Sequence, residues 1–221
     1  MTRSLHHSHD PLLAVRGEGQ FLIDEKGNRY LDAQNNVAHV GHGNVHVADM
    51  VSRQLQTLNT NSRYLHPTMV RYAKRLLATL PKELCVLYFV NSGSEANDLA
   101  LRLARAHSKH EDVVVVDHAY HGHTQSVVEI SPYKYDGTGG HKQVDWVHKV
   151  PLPDAYRGPH RGAWTDEAVG KAYAADAARV IDGAEARGRG IAAFYCESMI
   201  SCGGQVIPPR GYLQAVYDRV R

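Results

Sequence analysis

Residues 86–104 read VLYFVNSGSEANDLALRLA, and this stretch decides the fold. Its first part, residues 86–90, is a continuous apolar run of strand length, and the polar turn at residues 91–94 follows it. Apolar residues then recur at helical spacing: Ala96, Leu99, Ala100, Leu103 and Ala104. The stretch therefore predicts a buried strand, a tight turn and an amphipathic helix.

The same alternation continues downstream. Residues 113–116 and 191–196 are further uninterrupted apolar runs, and helical patterns cover residues 165–187 and 211–221. Apolar strands that alternate with amphipathic helices are typical of a parallel sheet covered on both faces, so we expect an α/β fold. Residues 131–162 are rich in Gly, Pro and Tyr, and we predict a long loop there with one short strand near Trp146.

The region before this stretch has a different pattern. Residues 19–32 predict a hairpin with its turn at residues 25–28. Helical spacing follows over residues 47–58, and again over residues 67–80, where Pro67 suits the first helical position. We place a boundary near Pro67, with an N-terminal small-lobe segment at residues 1–66 and an incomplete large α/β domain at residues 67–221.

Composition excludes several classes of protein. The net charge is +2 and no run of like charges occurs, which argues against nucleic acid as a partner. Cys85, Cys196 and Cys202 form no CxxC pair, and this fits a reducing compartment better than a disulfide framework. Residues 1–10 lack the apolar core of a signal peptide, and no segment has the length and apolarity of a membrane span. We expect a cytoplasmic protein.

The turn Ser92-Gly93-Ser94 is a candidate anion site. The first N–H groups of a helix have no intrahelical acceptor and carry a partial positive charge, and glycine lets an anion approach the backbone closely. The sequence contains neither a P-loop nor GxGxxG, so ATP and NAD are not indicated. The alternative is that Ser92 or Ser94 only caps the helix.

Two further groups follow the other predicted strands. Residues 118–123, HAYHGH, come directly after one strand, and Glu197 comes after the next. Ligands of open parallel sheets bind at the carboxyl ends of the strands, where Tyr120 could cover a flat heterocycle. The alternatives are surface histidines and a solvated Glu197. A metal is not expected, because the histidine spacing matches no standard zinc pattern.

In order and spacing, three motifs together resemble the class III aminotransferases, which are pyridoxal 5'-phosphate (PLP) enzymes of fold type I. They are residues 91–97, Tyr120-His121-Gly122 and Glu197. The resemblance extends to residues 27–32 and 40–43 of the N-terminal segment. Four stretches also look like the phospho-lyase branch of this family, which eliminates phosphate from phosphorylated amines: residues 35–42, 130–134, 151–158 and 197–209.

The resemblance implies a set of cofactor-binding residues: Ser92, Gly93, Ser94, Tyr120, His121 and Glu197. The serine–glycine turn would hold the cofactor phosphate, Tyr120 would stack on the pyridine ring and Glu197 would lie near the ring. Cys202 stands near a place where many ω-aminotransferases carry a second glutamate, and this favours elimination over amino transfer. Arg157 is our candidate for the phosphate of the substrate, because guanidinium binds phosphate through two parallel hydrogen bonds.

By the same resemblance, the Asp that contacts the pyridine nitrogen and the Schiff-base lysine would follow Arg221. None of the lysines present matches the catalytic position, so we expect this chain alone to be inactive. The implied function is a phospho-lyase that acts on a phosphorylated amine and releases an aldehyde and ammonia. The alternatives are an ω-aminotransferase and a non-catalytic fragment. The family also implies a homodimer.

Overall fold

The structure, a computed structural model, describes residues 11–34 and 39–221. Residues 1–10 lie outside the described part, and so do residues 35–38, which belong to one of the phospho-lyase-like stretches. Contacts within the chain divide it into two units, Met1–Cys85 and Val86–Arg221. The boundary near Pro67 stays a prediction. No helix in the described ranges has the length and apolarity needed to cross a membrane.

The first unit contains an antiparallel three-stranded sheet. Its strands β1 (Ala14–Glu18), β2 (Phe21–Asp24) and β3 (Arg29–Leu31) are paired in chain order. The Asp24 carboxylate closes the turn between β2 and β3, where it accepts hydrogen bonds from the N–H groups of Lys26 and Asn28. The predicted hairpin is confirmed, and β1 is an addition that the sequence pattern did not indicate.

The same unit contains two helices, α1 (Val45–Thr57) and α2 (Pro67–Leu77). Asn44 caps α1 and His66 caps α2, and Pro67 occupies the first turn of α2 as predicted. The end of α2 lies before the predicted Leu80. The apolar spacing of α2 predicts a buried face, but within the described residues neither α2 nor α1 has a buried residue, so this expectation for α2 is wrong. Capping and local propensity are sufficient to begin a helix, whereas burial requires an opposing surface.

Residues 86–90, which open the second unit, do not form the predicted strand, and Val86 and Tyr88 are largely exposed. The prediction of a strand was therefore wrong. An apolar run supplies the side chains of a buried strand, but a strand also needs hydrogen bonds from a neighbouring backbone. In the described part of this unit the sheet consists of other segments.

That sheet has three parallel strands in the order β5-β4-β6. They are β4 (Asp112–Val116), β5 (Val147–Val150) and β6 (Ile191–Tyr195). The helices of this unit are α3 (Gly93–Ser108), α4 (Gln125–Glu129), α5 (Pro132–Tyr135), α6 (Glu167–Glu185) and α7 (Tyr212–Val220). The α/β fold with a mainly parallel sheet is confirmed.

The central strand β4 packs on both faces. Val114 and Val116 lie in one core cluster with residues of α6 and α7. Val113 and Val115 lie in a second cluster with residues of α3 and α4. All four valines are fully buried, and each contributes roughly 1.5–3 kcal/mol through removal of its side chain from water. This explains why the run of valines is uninterrupted.

The amino ends of the three strands are joined by an ionic network. Asp112 begins β4 and is 3% exposed, and its carboxylate lies 2.7 Å from His148 Nε2 on β5. Arg189, just before β6, donates two hydrogen bonds to the same carboxylate, one of them at 2.9 Å. Burial alone would raise the pKa of Asp112, but the hydrogen bonds from Arg189 and His148 outweigh it, and the pKa is lowered. A single carboxylate thus links all three strands.

The predicted long loop contains more structure than the sequence pattern indicated. Within residues 131–162, the helix α5 comes first and β5 provides the expected short strand. After β5, the Tyr173 hydroxyl on α6 donates to Asp154 O at 2.8 Å and so fixes the remaining segment. The single turn of α5 is too short to produce a helical periodicity, although Pro132 at its start is a typical helix signal.

Candidate functional site

The turn that precedes α3 has the geometry of a helix N-terminus. Ser92 is the N-cap residue, and its Oγ accepts a hydrogen bond from Glu95 N at 3.1 Å. The Glu95 carboxylate accepts in return from Asn91 N at 2.6 Å. The N–H groups of Gly93 and Ser94 come first in the helix and have no intrahelical acceptor. A Cβ added to Gly93 would meet no atom within 4 Å, so the space on this side of Gly93 is open.

This turn touches the loop that follows β4. Ser94 Oγ accepts a hydrogen bond from His123 N at 3.2 Å, and Asn97 Nδ2 donates to His121 O at 2.7 Å. Gly122 has φ +133°, and a Cβ there would lie 2.6 Å from Ser94 Oγ. Only glycine allows this approach, because a side chain would be strained by the φ angle and would collide with Ser94. The two predicted site segments are therefore neighbours.

Glu197, which follows β6, connects the third predicted site segment to the second. One of its carboxylate oxygens accepts from Tyr120 N at 2.9 Å, and the other accepts from Ser201 N at 2.9 Å. Both are charge-assisted hydrogen bonds, and the one from Tyr120 N joins segments far apart in sequence. Glu197 is therefore a positioning carboxylate for the loop that carries Tyr120.

The Tyr120 ring is partly buried and has polar neighbours. It makes an edge-to-face contact with Tyr133 at 6.1 Å between ring centroids, and its hydroxyl lies 3.2 Å from His123 Nδ1. Burial raises the pKa of Tyr120, so the phenol is neutral at physiological pH. The ring is thus a fixed, uncharged aromatic surface at the carboxyl end of β4.

His121 follows Tyr120 in this loop and is only 7% exposed. Its backbone N–H donates to Ser131 Oγ at 2.9 Å. Its ring contacts that of Tyr195 edge-to-face, with 5.5 Å between ring centroids. Burial lowers the pKa of His121 to about 4, so the imidazole is neutral at pH 7. Its Nε2 atom is buried and has no hydrogen-bond partner in the described part of the chain. A buried polar atom of this kind is unusual in a folded protein, and a site that binds a ligand is one place where it is found.

The remaining histidines of the motif point to no shared ligand. His118 is exposed and its Nδ1 lies 3.3 Å from Asp117, while His123 is engaged by Tyr120. Across residues 11–34 and 39–221, no group of three or more His, Cys, Asp or Glu residues could hold a metal ion.

The structure describes no contact between Arg157 and the predicted cofactor-binding residues. It is exposed, and its guanidinium carbon lies 5.8 Å from the ring centroid of Tyr156. Both residues line a surface cleft of about 420 Å³ formed by residues 154–157, 162–164 and 204–207. The structure therefore gives Arg157 a cleft whose lining contains none of the six predicted cofactor-binding residues.

Sequence reasoning missed two residues that hold the site together. Asn97 bonds to the loop after β4, and Ser131 accepts from His121 N and donates to Val127 O at 2.6 Å. Asn97 belongs to the motif at residues 91–97, but nothing in the pattern indicated its partner. Ser131 precedes Pro132, and this pair could have indicated a helix start.

The groups at the start of α3 and in the loop of Tyr120 together suit one kind of ligand. Free N–H groups at the start of α3 suit an anion, and the Tyr120 ring suits a flat aromatic body. A small molecule that carries a phosphate on an aromatic ring satisfies both requirements.

Comparison with known proteins identifies the family of the chain. The sequence profile of the family described as aminotransferase class-III matches residues 4–219. The chain is 51% identical over 218 residues to a Drosophila melanogaster protein named alanine–glyoxylate aminotransferase 2-like, covering 98% of this chain and 44% of the relative. It is 46% identical over 224 residues to the Caenorhabditis elegans ethanolamine-phosphate phospho-lyase homolog 1, covering 98% of this chain and 48% of the relative.

Solved structures show the same relationship. A phospholyase from Arthrobacter in complex with phosphoethanolamine is similar with a TM-score of 0.88 and 37% identity, over 100% of this chain and 51% of that chain. The PMP-bound aminotransferase from Vibrio fluvialis is similar with a TM-score of 0.82, over 100% of this chain and 50% of that chain, and its 22% identity supports the fold alone.

The chain spans about half the length of the curated relatives that it matches. The match nevertheless extends over nearly all of its 221 residues. The chain belongs to the class III aminotransferase family.

Proposed function

We propose that this chain forms the phosphate-binding and ring-binding part of a PLP-dependent enzyme that acts on an amine. The observation that carries the proposal is the contact between Ser94 and the loop of Tyr120 through Gly122 and His123. It brings an anion-binding helix terminus and an aromatic surface together at the carboxyl end of the sheet. The residues present therefore fit the cofactor.

In the proposed arrangement, the N–H groups of Gly93 and Ser94 bind the cofactor phosphate. The dipole of α3 adds about 0.3–1 kcal/mol to such binding. Tyr120 lies against the pyridine ring, and Glu197 keeps the Tyr120 loop in place through its two backbone hydrogen bonds. His121 is buried and stays neutral, so it adds no charge that would compete for the phosphate.

The reaction that we propose is phosphate elimination, in which a phosphorylated amine and water give an aldehyde, ammonia and phosphate. When bound, the cofactor supplies a ring that stabilises the negative charge formed next to the amino group of the substrate. The residues of this chain bind the cofactor phosphate and orient the pyridine ring. We assign the catalytic lysine to none of the lysines in this sequence.

The phospho-lyase assignment is supported by the Arthrobacter and Caenorhabditis elegans relatives, which carry that name, and by Cys202. Cys202 is a partly buried free thiol in a place where the family resemblance implies a glutamate in many transaminases. A second candidate is amino transfer, which is favoured by the name of the Drosophila relative.

An assay of the complete gene product, loaded with PLP, separates these two functions. We expect phosphoethanolamine to yield free phosphate and ammonia in equal amounts without any keto acid. Amino transfer would instead yield a new amino acid from glyoxylate and alanine, with no phosphate released. Amino transfer alone would contradict the phospho-lyase proposal but leave the cofactor site as proposed.

We further propose a cytoplasmic homodimer. All three cysteines are free thiols, which supports a reducing compartment. Exposed apolar residues on α1, including Met50, Val51 and Leu55, support a partner surface. Light scattering of the complete protein should give twice the mass of one chain, and a monomeric mass would exclude the dimer.

A further inference from the structure

The loop of Tyr120 is tied to the start of α5 by two hydrogen bonds. Tyr133 N donates to Ala119 O at 3.1 Å, and Ser131 Oγ accepts from His121 N at 2.9 Å. Ser131 is fully buried, and it is held in turn by Val127 O. The segment after Ser131 therefore has a fixed position relative to the proposed ring-binding surface.

Lys134 is the residue that this arrangement brings to the Tyr120 ring. Its Nζ lies 5.6 Å from the ring centroid of Tyr120 and 5.3 Å from that of Tyr133. The side chain is exposed, and both distances are within the range of a cation–π contact. The ammonium group therefore lies beside the aromatic ring that we propose for the pyridine.

The charge of Lys134 is not neutralised by a carboxylate. Within residues 11–34 and 39–221, no Asp or Glu forms an ion pair with it. The nearby Cys202 also leaves the charge intact, because burial and the Glu197 carboxylate raise the pKa of this thiol and keep it neutral. Glu197 itself is engaged by two backbone N–H groups.

The other cations near the carboxyl ends of the strands are less suitable. Lys149 is paired with Asp136 at 2.6 Å and with Asp117 at 3.4 Å. Arg157 lies in the surface cleft described above. A phosphorylated amine needs a cation for its own phosphate, separate from the α3 terminus that holds the cofactor phosphate.

We propose that Lys134 binds the phosphate of the substrate and thereby selects phosphorylated amines. This inference rests on the proposed function and replaces Arg157 with Lys134 as the residue that contacts the leaving group. The Tyr120 and Tyr133 rings keep the ammonium group in place before the substrate arrives, which lowers the entropic cost of binding.

The test compares the PLP-loaded complete protein with its Lys134→Met, Lys134→Arg and Arg157→Met variants. Lys171→Met, on the exposed face of α6, is the matched control. Titration calorimetry with inorganic phosphate measures binding at the substrate side, because the cofactor already occupies the α3 terminus. Steady-state phosphate release from phosphoethanolamine is measured in parallel, with unphosphorylated ethanolamine as a competing ligand.

We expect Lys134→Met to weaken phosphate binding and to raise KM for phosphoethanolamine by roughly 10- to 100-fold, as for the loss of a charged hydrogen bond. Ethanolamine inhibition and cofactor absorbance should stay unchanged, and Lys134→Arg should restore most of the affinity. Equal phosphate affinity in Lys134→Met, no phosphate binding by the unaltered protein, or weakening by Arg157→Met alone would overturn the inference. Phosphate binding that depends on Lys134 without phosphate release would instead contradict the proposed lyase function.

Discussion

The two ends of the parallel sheet β5-β4-β6 differ in how their polar groups are satisfied. At the amino ends, the Asp112 carboxylate is fully engaged by Arg189 and His148. At the carboxyl ends, His121 Nε2 is buried without a partner in the described residues, and the first N–H groups of α3 have no intrahelical acceptor. The first end is complete by itself, whereas the second has the groups that a ligand would satisfy. The difference shows where the chain is built for stability and where it is built for binding.

The largest expected effect is at the carboxyl ends, from Gly122→Ala. The new Cβ would lie 2.9 Å from Ser94 Cα and 2.9 Å from Val127 Cγ2, so the two loops must separate. We expect PLP affinity to fall by roughly 100-fold or more, because overpacking and backbone strain together cost about 3 kcal/mol. Fluorescence titration with PLP measures the loss.

Gly139→Ala is the matched control for this change. Gly139 also has positive φ, at +80°, but a Cβ there would meet no atom within 4 Å. The control should show backbone strain without loss of PLP affinity. Equal affinity in both variants would show that contact between the two loops is not needed for the cofactor.

At the amino ends, Asp112→Asn should reduce the free energy of unfolding by about 2–4 kcal/mol, because it breaks a buried ionic network. PLP affinity of the folded protein should stay unchanged. Asp145→Asn is the control, since this exposed carboxylate lies 3.4 Å from Arg189 and should contribute less than about 0.5 kcal/mol. Urea unfolding measures both. A loss of cofactor affinity without a loss of stability in Asp112→Asn would remove the distinction between the two ends.

The pH dependence of stability should distinguish the two ends as well. The pKa of His121 is lowered to about 4 from its ordinary value of 6.5, so below pH 6.5 the unfolded chain binds a proton that the folded chain does not. Stability should therefore fall by about 1.4 kcal/mol for each pH unit between 6.5 and 4. The pKa of Asp112 is lowered, so this carboxylate keeps its contribution to the free energy of unfolding until the pH falls below the ordinary carboxylate range.

The variant His121→Asn isolates this contribution. Its stability should depend less steeply on pH between 6.5 and 4 than that of the unaltered protein, as measured by urea unfolding at several pH values. His141→Asn, at an exposed position, controls for the loss of one imidazole. An unchanged slope in His121→Asn would mean that the buried imidazole is protonated in the folded protein.

The smallest expected effect is that of Glu197→Gln. Glutamine retains one acceptor oxygen and loses the negative charge, so one of the hydrogen bonds to Tyr120 N and Ser201 N is lost and the other is weakened. We expect PLP affinity to fall by roughly tenfold. Glu185→Gln on α6, which removes an exposed carboxylate of the same size, should leave PLP affinity unchanged. Unchanged PLP affinity in Glu197→Gln would show that Tyr120 is positioned without the carboxylate.

The comparison also shows which features the sequence could predict. The start of α3 was predictable because its signal is local, with a serine followed three residues later by a glutamate. The valine run of β4 was predictable because burial on both faces requires apolar residues throughout. The prediction of a strand at residues 86–90 was wrong because strand formation depends on a neighbouring backbone, which the apolar run itself does not specify.

Within the site, residue types were predictable but their partners were not. The positions of Tyr120, His121 and Glu197 after strands predict their place in the site, but the hydrogen bond from Tyr120 N to Glu197 joins residues 77 positions apart. The bond from Asn97 to His121 O joins residues 24 positions apart. Lys134 belongs to the phospho-lyase-like residues 130–134, Arg157 is predicted from guanidinium chemistry, and only the fold shows that the lysine lies beside Tyr120.

A crystal structure of the complete protein with PLP bound would show whether the start of α3 and Tyr120 hold the cofactor. We expect phosphate oxygens about 2.7–3.2 Å from the N–H groups of Gly93 and Ser94, with the pyridine ring against the Tyr120 ring. A cofactor phosphate bound away from the start of α3, or a pyridine ring that does not touch Tyr120, would contradict this expectation.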